Sequence, residues 1–207
     1  MKSMNTQRKP MPSQAGFTII ELVVVILLLG ILTATALPRF LDASDDAHGA
    51  VVTSTAGSFR SGIELFKAGW QAEGQPTAEV TNFGDGGLFA DATSGYPVDS
   101  DDGTMDADAV DCLAVFDEVV NTSLGTAGVA NPISDATTES AVETAAGATI
   151  DFVITPDDDT TATGCNFYYV GQFKEGNNTT NRTIRMITYN FSTGAVVETT
   201  YTLNQDT

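Results

Sequence analysis

The sequence predicts an α+β chain: one long helical spine, a variable middle, and a small antiparallel sheet towards the end. Three observations carry this. Residues 17–37 form an apolar run in which only Glu21 is charged. Val51, Thr55, Phe59, Ile63, Phe66 and Trp70 recur every three or four positions, the period of one helix face. The last stretch, about sixty residues, holds four runs rich in β-branched and aromatic side chains, set apart by Asp, Asn and Gly turns.

The chain opens on a short polar segment, residues 1–16, with Lys2, Arg8 and Lys9 and no acidic residue. It has no apolar core of its own, so it does not read as an ordinary secretory signal. The 21 residues of 17–37 are long enough to cross a bilayer as one helix. The basic residues ahead of the run place the leader on the cytoplasmic side and the rest outside. Glu21 needs a purpose, because an ionisable group in a lipid-facing helix is expensive. If the chain is cut between Gly16 and Phe17, Phe17 gains a cationic amine four residues from Glu21. Between neighbouring copies those two charges can neutralise each other in an apolar bundle.

Gly30 weakens the helix, and Pro38 removes a donor and crowds the preceding turn, so 30–38 is its soft part, with a kink at Pro38. Phe40 and Leu41 lead into a polar turn at 42–46. The helix then resumes and runs to Trp70, which makes it on the order of 80 Å long from Phe17. Gly57, Gly62 and Gly69 weaken this second half, so tertiary packing must hold it. Phe66 and Trp70 read as core.

Residues 71–105, rich in Gly, Asp, Thr and Pro and interrupted by Phe83, Leu88 and Phe89, read as loop with one short strand. A short helix is expected over 106–121, capped by Thr104 or Asp106, with Val110, Leu113, Phe116, Val119 and Val120 as apolar positions. Residues 122–148, mostly Ala, Thr, Gly and Ser, carry no assignable pattern. The expected strands are 149–155, 166–174, 183–191 and 195–203. They form a meander whose apolar face packs on the second half of the long helix.

Charge narrows the function. The 207 residues carry a net charge of −18, from nine basic and 27 acidic side chains. Removing the three leader cations leaves six against 27, or −21. Such a surface repels nucleic acid and anionic lipid. Cys112 and Cys165 lie beyond the membrane run, in the oxidising compartment, and are expected to bond to each other; free thiols or a metal pair are the alternatives. The single histidine, His48, falls on the exposed part of the helix, and no nucleophile, phosphate-loop or zinc motif is present, so no enzymatic role is expected. Asp99, Asp101, Asp102 and Asp106 surround Gly103 with the oxygen density of a calcium loop. The glycine spacing departs from the EF-hand and no glutamate closes the loop, so the cluster reads first as a solvated acidic loop that caps a helix, with calcium the alternative. No other cofactor is expected. The Asn-x-Ser/Thr sequons at Asn121, Asn178 and Asn190 read as incidental.

The stretch Gly16-Phe17-Thr18-Ile19-Ile20-Glu21-Leu22, after a basic leader and before an apolar helix, resembles the type IV pilin and pseudopilin family. The close resemblance covers roughly residues 14–50. It implies that a prepilin peptidase cuts after Gly16 and methylates Phe17, that Glu21 serves assembly, and that Gly30 and Pro38 soften the helix. The implied fold is the type IV pilin fold. Its parts are a leader (1–16), a filament-core half-helix (17–38), an amphipathic half-helix (39–70) and a head (71–207). Within the head, a variable region (71–148) precedes the sheet (149–207). The implied partners are other pilin subunits in a homopolymer or mixed filament, the peptidase, the pilus assembly platform, and the inner membrane before export. Ala36-Leu37-Pro38-Arg39-Phe40-Leu41-Asp42 and Ile187-Thr188-Tyr189-Asn190 look like pilins of the mannose-sensitive haemagglutinin type, which serve attachment and motility. A pseudopilin of a type II secretion machine, and an anchored periplasmic binding domain that never polymerises, are the rival expectations.

Overall fold

The computed structural model describes residues 16–77, 79–81, 83–84, 87–99, 109–120, 123–128, 149–157, 163–171 and 182–203. The architecture is the expected α+β one: a long N-terminal helix and a small, mainly antiparallel sheet. The chain divides into two compact units, one ending at Ser44 and one beginning at Asp45.

In the N-terminal unit, helix α1 (Ile19–Ala72) starts two residues beyond Phe17 and runs through Gly30 and Pro38. Pro38 has no N–H, so the helix ladder is one bond short there. The hydroxyls of Thr33 and Thr35 turn back onto the carbonyls of Leu29 (2.7 Å) and Leu32 (3.0 Å). This satisfies both polar groups without a partner from outside the helix.

The polar turn expected at 42–46 is not a turn; α1 continues through it. The segment contains no Gly or Pro, and Asp and Ser cost less than about 0.7 kcal/mol each in a helix. That is too little to stop a ladder that tertiary packing resumes one turn later.

In the second unit, α1 buries Val52, Ala56, Phe59, Ile63, Phe66 and Trp70, with Thr55 on the same face. This is the expected stripe, except that Val52 replaces half-buried Val51 at its start. The helix ends on Gly74, at φ 86°, a conformation open to glycine at no steric cost. Gly74 N–H bonds to the Gln71 carbonyl (3.1 Å) and Gln75 N–H to that of Trp70 (2.9 Å), the Schellman pattern. The Trp70 indole donates to the Pro76 carbonyl (3.0 Å), which fixes the chain as it leaves.

The described part of 71–105 contains two short strands, where one was expected. These are β1 (Phe89–Ala90) and β2 (Pro97–Asp99), paired antiparallel. The turn between them is built by Asp91, whose Oδ1 accepts the N–H groups of Thr93 (3.1 Å) and Ser94 (2.6 Å). Helix α2 spans Ala109–Val120, within the expected 106–121, of which 106–108 and 121 lie outside the described residues. Its expected caps, Thr104 and Asp106, lie outside the described residues. Within the unassigned 122–148 stands β3 (Thr126–Gly128), which pairs parallel with β4 (Phe152–Pro156). Strands β5 (Gly164–Tyr169), β6 (Arg182–Asn190) and β7 (Ala195–Leu203) complete the meander in the order β3-β4-β5-β6-β7. The first three expected strands thus shift by one to five residues at their ends, and the last is as expected.

One sheet face carries Phe152, Ile154, Cys165, Phe167, Tyr169, Ile187, Tyr189 and Val196 into a core shared with α1 and α2. Phe59 stands at its centre, edge-on to Phe167 and Tyr189, each with ring centroids 5.2 Å away. Helix α2 crosses α1 at Gly62, where an added Cβ would come within 2.7 Å of the Val119 carbonyl oxygen. The Tyr189 hydroxyl donates to the Pro97 carbonyl (2.8 Å) and joins β6 to β2.

Candidate functional site

Gly16, Phe17 and Thr18 precede the first helical residue, Ile19. Among the described residues, nothing lies within 4 Å of a Cβ added at Gly16, so none of them covers that side of the Gly16–Phe17 bond. Phe17 is 91% exposed. Behind it the side chains of Leu22, Ile26, Leu29 and Leu32 are each more than half exposed, and no other described residue covers this stretch of α1. By length and composition it can cross a membrane.

Glu21 is held locally. Thr18 donates its backbone N–H (2.9 Å) and its hydroxyl (2.8 Å) to Glu21 Oε2, while the Thr18 hydroxyl oxygen accepts the Glu21 N–H (3.2 Å). This is a capping box: the residue before the helix and the third residue within it satisfy each other's open groups. It also places a negative charge at the positive end of the helix dipole. Both Thr18 bonds fall on Oε2, so Oε1 stays available. Sequence reasoning singled out Glu21 but not Thr18, although Thr-x-x-Glu ahead of an apolar run is itself a helix-start signal.

Of the remaining candidates, Gly30 and Pro38 lie within α1, and the other described ones lie in the second unit. Cys112 and Cys165 form a disulfide, with Cα atoms 5.6 Å apart and both residues fully buried. It ties α2 to β5 under the aromatic core. Asp99 closes β2, paired with Phe89; Asp101, Asp102 and Asp106 lie outside the described residues. His48 departs from expectation. It is half-buried rather than solvated, with Nδ1 2.9 Å from the Tyr169 hydroxyl and its ring tilted over the tyrosine. Asn190 caps the β6–β7 turn, its Oδ1 accepting the backbone N–H (3.0 Å) and hydroxyl (2.9 Å) of Thr193. Asn121 and Asn178 are outside the described residues.

Two further side chains escaped the sequence. Arg60 donates Nε–H to the Val196 carbonyl (3.1 Å) and pairs with Glu198 (3.3 Å), which also accepts the Thr53 hydroxyl (3.0 Å). Together they bind the polar side of α1 to the edge strand β7, a guard against pairing with another chain. Residue spacing gives no sign of contacts 136 to 145 positions apart.

Residues 11–37 match the model of the prokaryotic N-terminal methylation motif. Over 64 residues, or 31% of its length, the chain is 48% identical to the type IV narrow pilus major component of Thermus thermophilus. It spans about half of that relative, 53%. No solved structure matches it.

Proposed function

We propose that this chain is a pilin, a structural subunit that polymerises through the apolar half of α1 into a type IV pilus. The observation that carries the reading is the bare apolar helix headed by Gly16, Phe17 and a capped Glu21, within a matched methylation motif. A prepilin peptidase cuts the Gly16–Phe17 bond and methylates the new amine of Phe17. The precursor waits in the inner membrane, and the assembly platform lifts it into the filament. There the Phe17 amine of one subunit meets Glu21 of another. The free Oε1 accepts it while Oε2 keeps Thr18, so the helix cap survives assembly. Pairing rewards one axial register and penalises slippage. The motifs at 36–42 and 187–190 favour an attachment pilus of the mannose-sensitive haemagglutinin type.

The test is the N-terminal sequence and mass of the protein in sheared surface filaments. Methylated Phe17 at the N-terminus is the expected result. Protein that still begins at Met1 would favour an anchored domain that never polymerises. Mature protein confined to the periplasm would favour a secretion pseudopilus.

A further inference from the structure

The polymer reading, on which this inference rests, brings together subunits that each carry a net −21 once the leader is gone. Like charges placed face to face across an interface oppose association. The head must therefore present its few cations where a neighbour presents acid. Six basic side chains remain after cleavage. The side chains of Lys174 and Arg182 lie outside the described set, and Arg39 belongs to the N-terminal unit. Arg60 is paired with Glu198, and the Lys67 ammonium sits 3.8 Å above the Tyr96 ring. Arg185 is left. It is exposed, and among the described residues of the second unit it is the cation with no ion pair, hydrogen bond or ring contact. Its guanidinium rests beside Gly49, where an added Cβ would approach it to 3.2 Å. Around it Asp45, Thr183 and Thr200 line an open cradle of about 270 Å³.

The complementary surface is on α2. Leu88, Val110, Leu113 and Ala114 floor a groove of about 370 Å³, with Asp117 and Glu118 on its lip. Val110 is 63% exposed, unusual for a valine of a short helix that buries its other face. The Asp117 carboxylate holds the Thr126 hydroxyl (3.0 Å), yet partial desolvation still lifts its pKa above the ordinary range. Its charged form is thus under-stabilised in the single subunit, and a neighbouring cation would relieve it. An apolar floor with an acidic lip is what an arginine side chain fits: the stem lies on the floor and the guanidinium forks onto carboxylate.

These two surfaces do not meet within one chain. Arg185 lies at the level of Gly49 on α1, whereas α2 crosses at Gly62. Thirteen residues of helix separate those levels by about 20 Å. Two different, complementary patches on one molecule make a head-to-tail contact, the kind that propagates into an open helical filament rather than closing as a dimer. We propose that Arg185 of one subunit docks on the acidic lip of α2, Asp117 and Glu118, of a second copy of this chain.

Charge exchange tests this. The full-length chain is produced in cells with the assembly machinery, and sheared filaments are weighed against membrane-held subunit. Arg185→Glu should lower filament yield about tenfold or more, with subunit level and disulfide formation unchanged. Asp117→Arg should do the same, and the double variant Arg185→Glu with Asp117→Arg should recover most of the wild-type yield. Wild-type yield from Arg185→Glu overturns the proposal. So does a double variant no better than the singles, because Arg185 then meets some other group. A wild-type chain that is processed but forms no filaments would count against the polymer itself, and so against this contact as well.

Discussion

Thr18 and Glu21 hold each other: one carboxylate oxygen of Glu21 takes both donors of Thr18, at 2.9 and 2.8 Å, and the Thr18 oxygen takes the Glu21 N–H. The charge in the apolar run therefore has a local structural role before any neighbour arrives. That separates the observed duty of the residue, starting the helix, from the proposed one, registering the polymer. Glu21→Gln keeps an acceptor for Thr18 and removes the charge. Cleavage and membrane insertion should persist, while incorporation into sheared filaments falls about tenfold or more. Wild-type incorporation of the variant would limit Glu21 to the cap.

Gly16→Asp should stop processing, because the peptidase site must admit a small residue next to the bond it cuts. Intact-mass measurement decides it: the variant should keep its leader, and a product of mature mass would contradict the cleavage assignment.

The Cys112–Cys165 bridge closes a sequence separation of 53 residues. In the chain-entropy model that is worth about 4 kcal/mol. Replacing both cysteines by Ala should lower the melting temperature of the detergent-solubilised chain by about 10 °C. The oxidised protein, unfolded without reductant, should not react with maleimide; equal labelling with and without reductant would argue against the bond.

Gly62→Ala would improve helix propensity on an isolated peptide, yet here the new methyl meets the Val119 carbonyl and side chain. Overpacking of this kind costs about 1–3 kcal/mol. Denaturant unfolding of the variant should show a loss of that order; a gain in stability would mean that α2 shifts away freely.

Burial pushes the Tyr168 hydroxyl up to about 12 and that of Tyr189 well above its ordinary value. Both groups hold their protons more tightly when folded. Their contribution to stability is complete below the unfolded tyrosine pKa of about 10 and is lost as pH rises through the folded value. Ultraviolet titration of tyrosinate in the folded protein should show a late step near pH 12 that coincides with unfolding. Ionisation of all five tyrosines near pH 10 without unfolding would contradict the burial of these two.

The elements legible in the sequence are those whose own pattern decides them. The stripe from Phe59 to Trp70 buries one face at the helical period. The runs that become β6 and β7 were legible from their β-branched and aromatic residues instead, since β6 buries Ile184 on one face and Ile187 and Tyr189 on the other, and among the described residues of β7 only Val196 is buried. What stayed hidden depends on contacts far along the chain. Strand β3 is three residues with no β-branched run, held by β4 some 26 positions later. The hairpin β1–β2 is set by the Asp91 side chain, not by strand propensity. Gly62 read as a weakness of the helix, whereas it marks the crossing of α2. His48 looked solvated because its partner, Tyr169, lies 121 residues away. At the site, Gly16, Phe17 and Glu21 were legible as a motif; the duty of Thr18 was readable too, in a rule about helix starts that the apolar run overshadowed.

The bridge between α2 and β5 also has a mechanical meaning. A filament subunit under tension is loaded along its chain, and a head that gives way lengthens by whatever contour it releases. Residues between Cys112 and Cys165 are removed from that reserve, because the covalent bond carries the force past them. At roughly 3.4 Å per residue the withheld length is about 180 Å for each subunit. A single-molecule pull on the oxidised and the reduced chain would read that difference directly, and in the proposed filament the bond would act as a stop on how far each subunit can pay out.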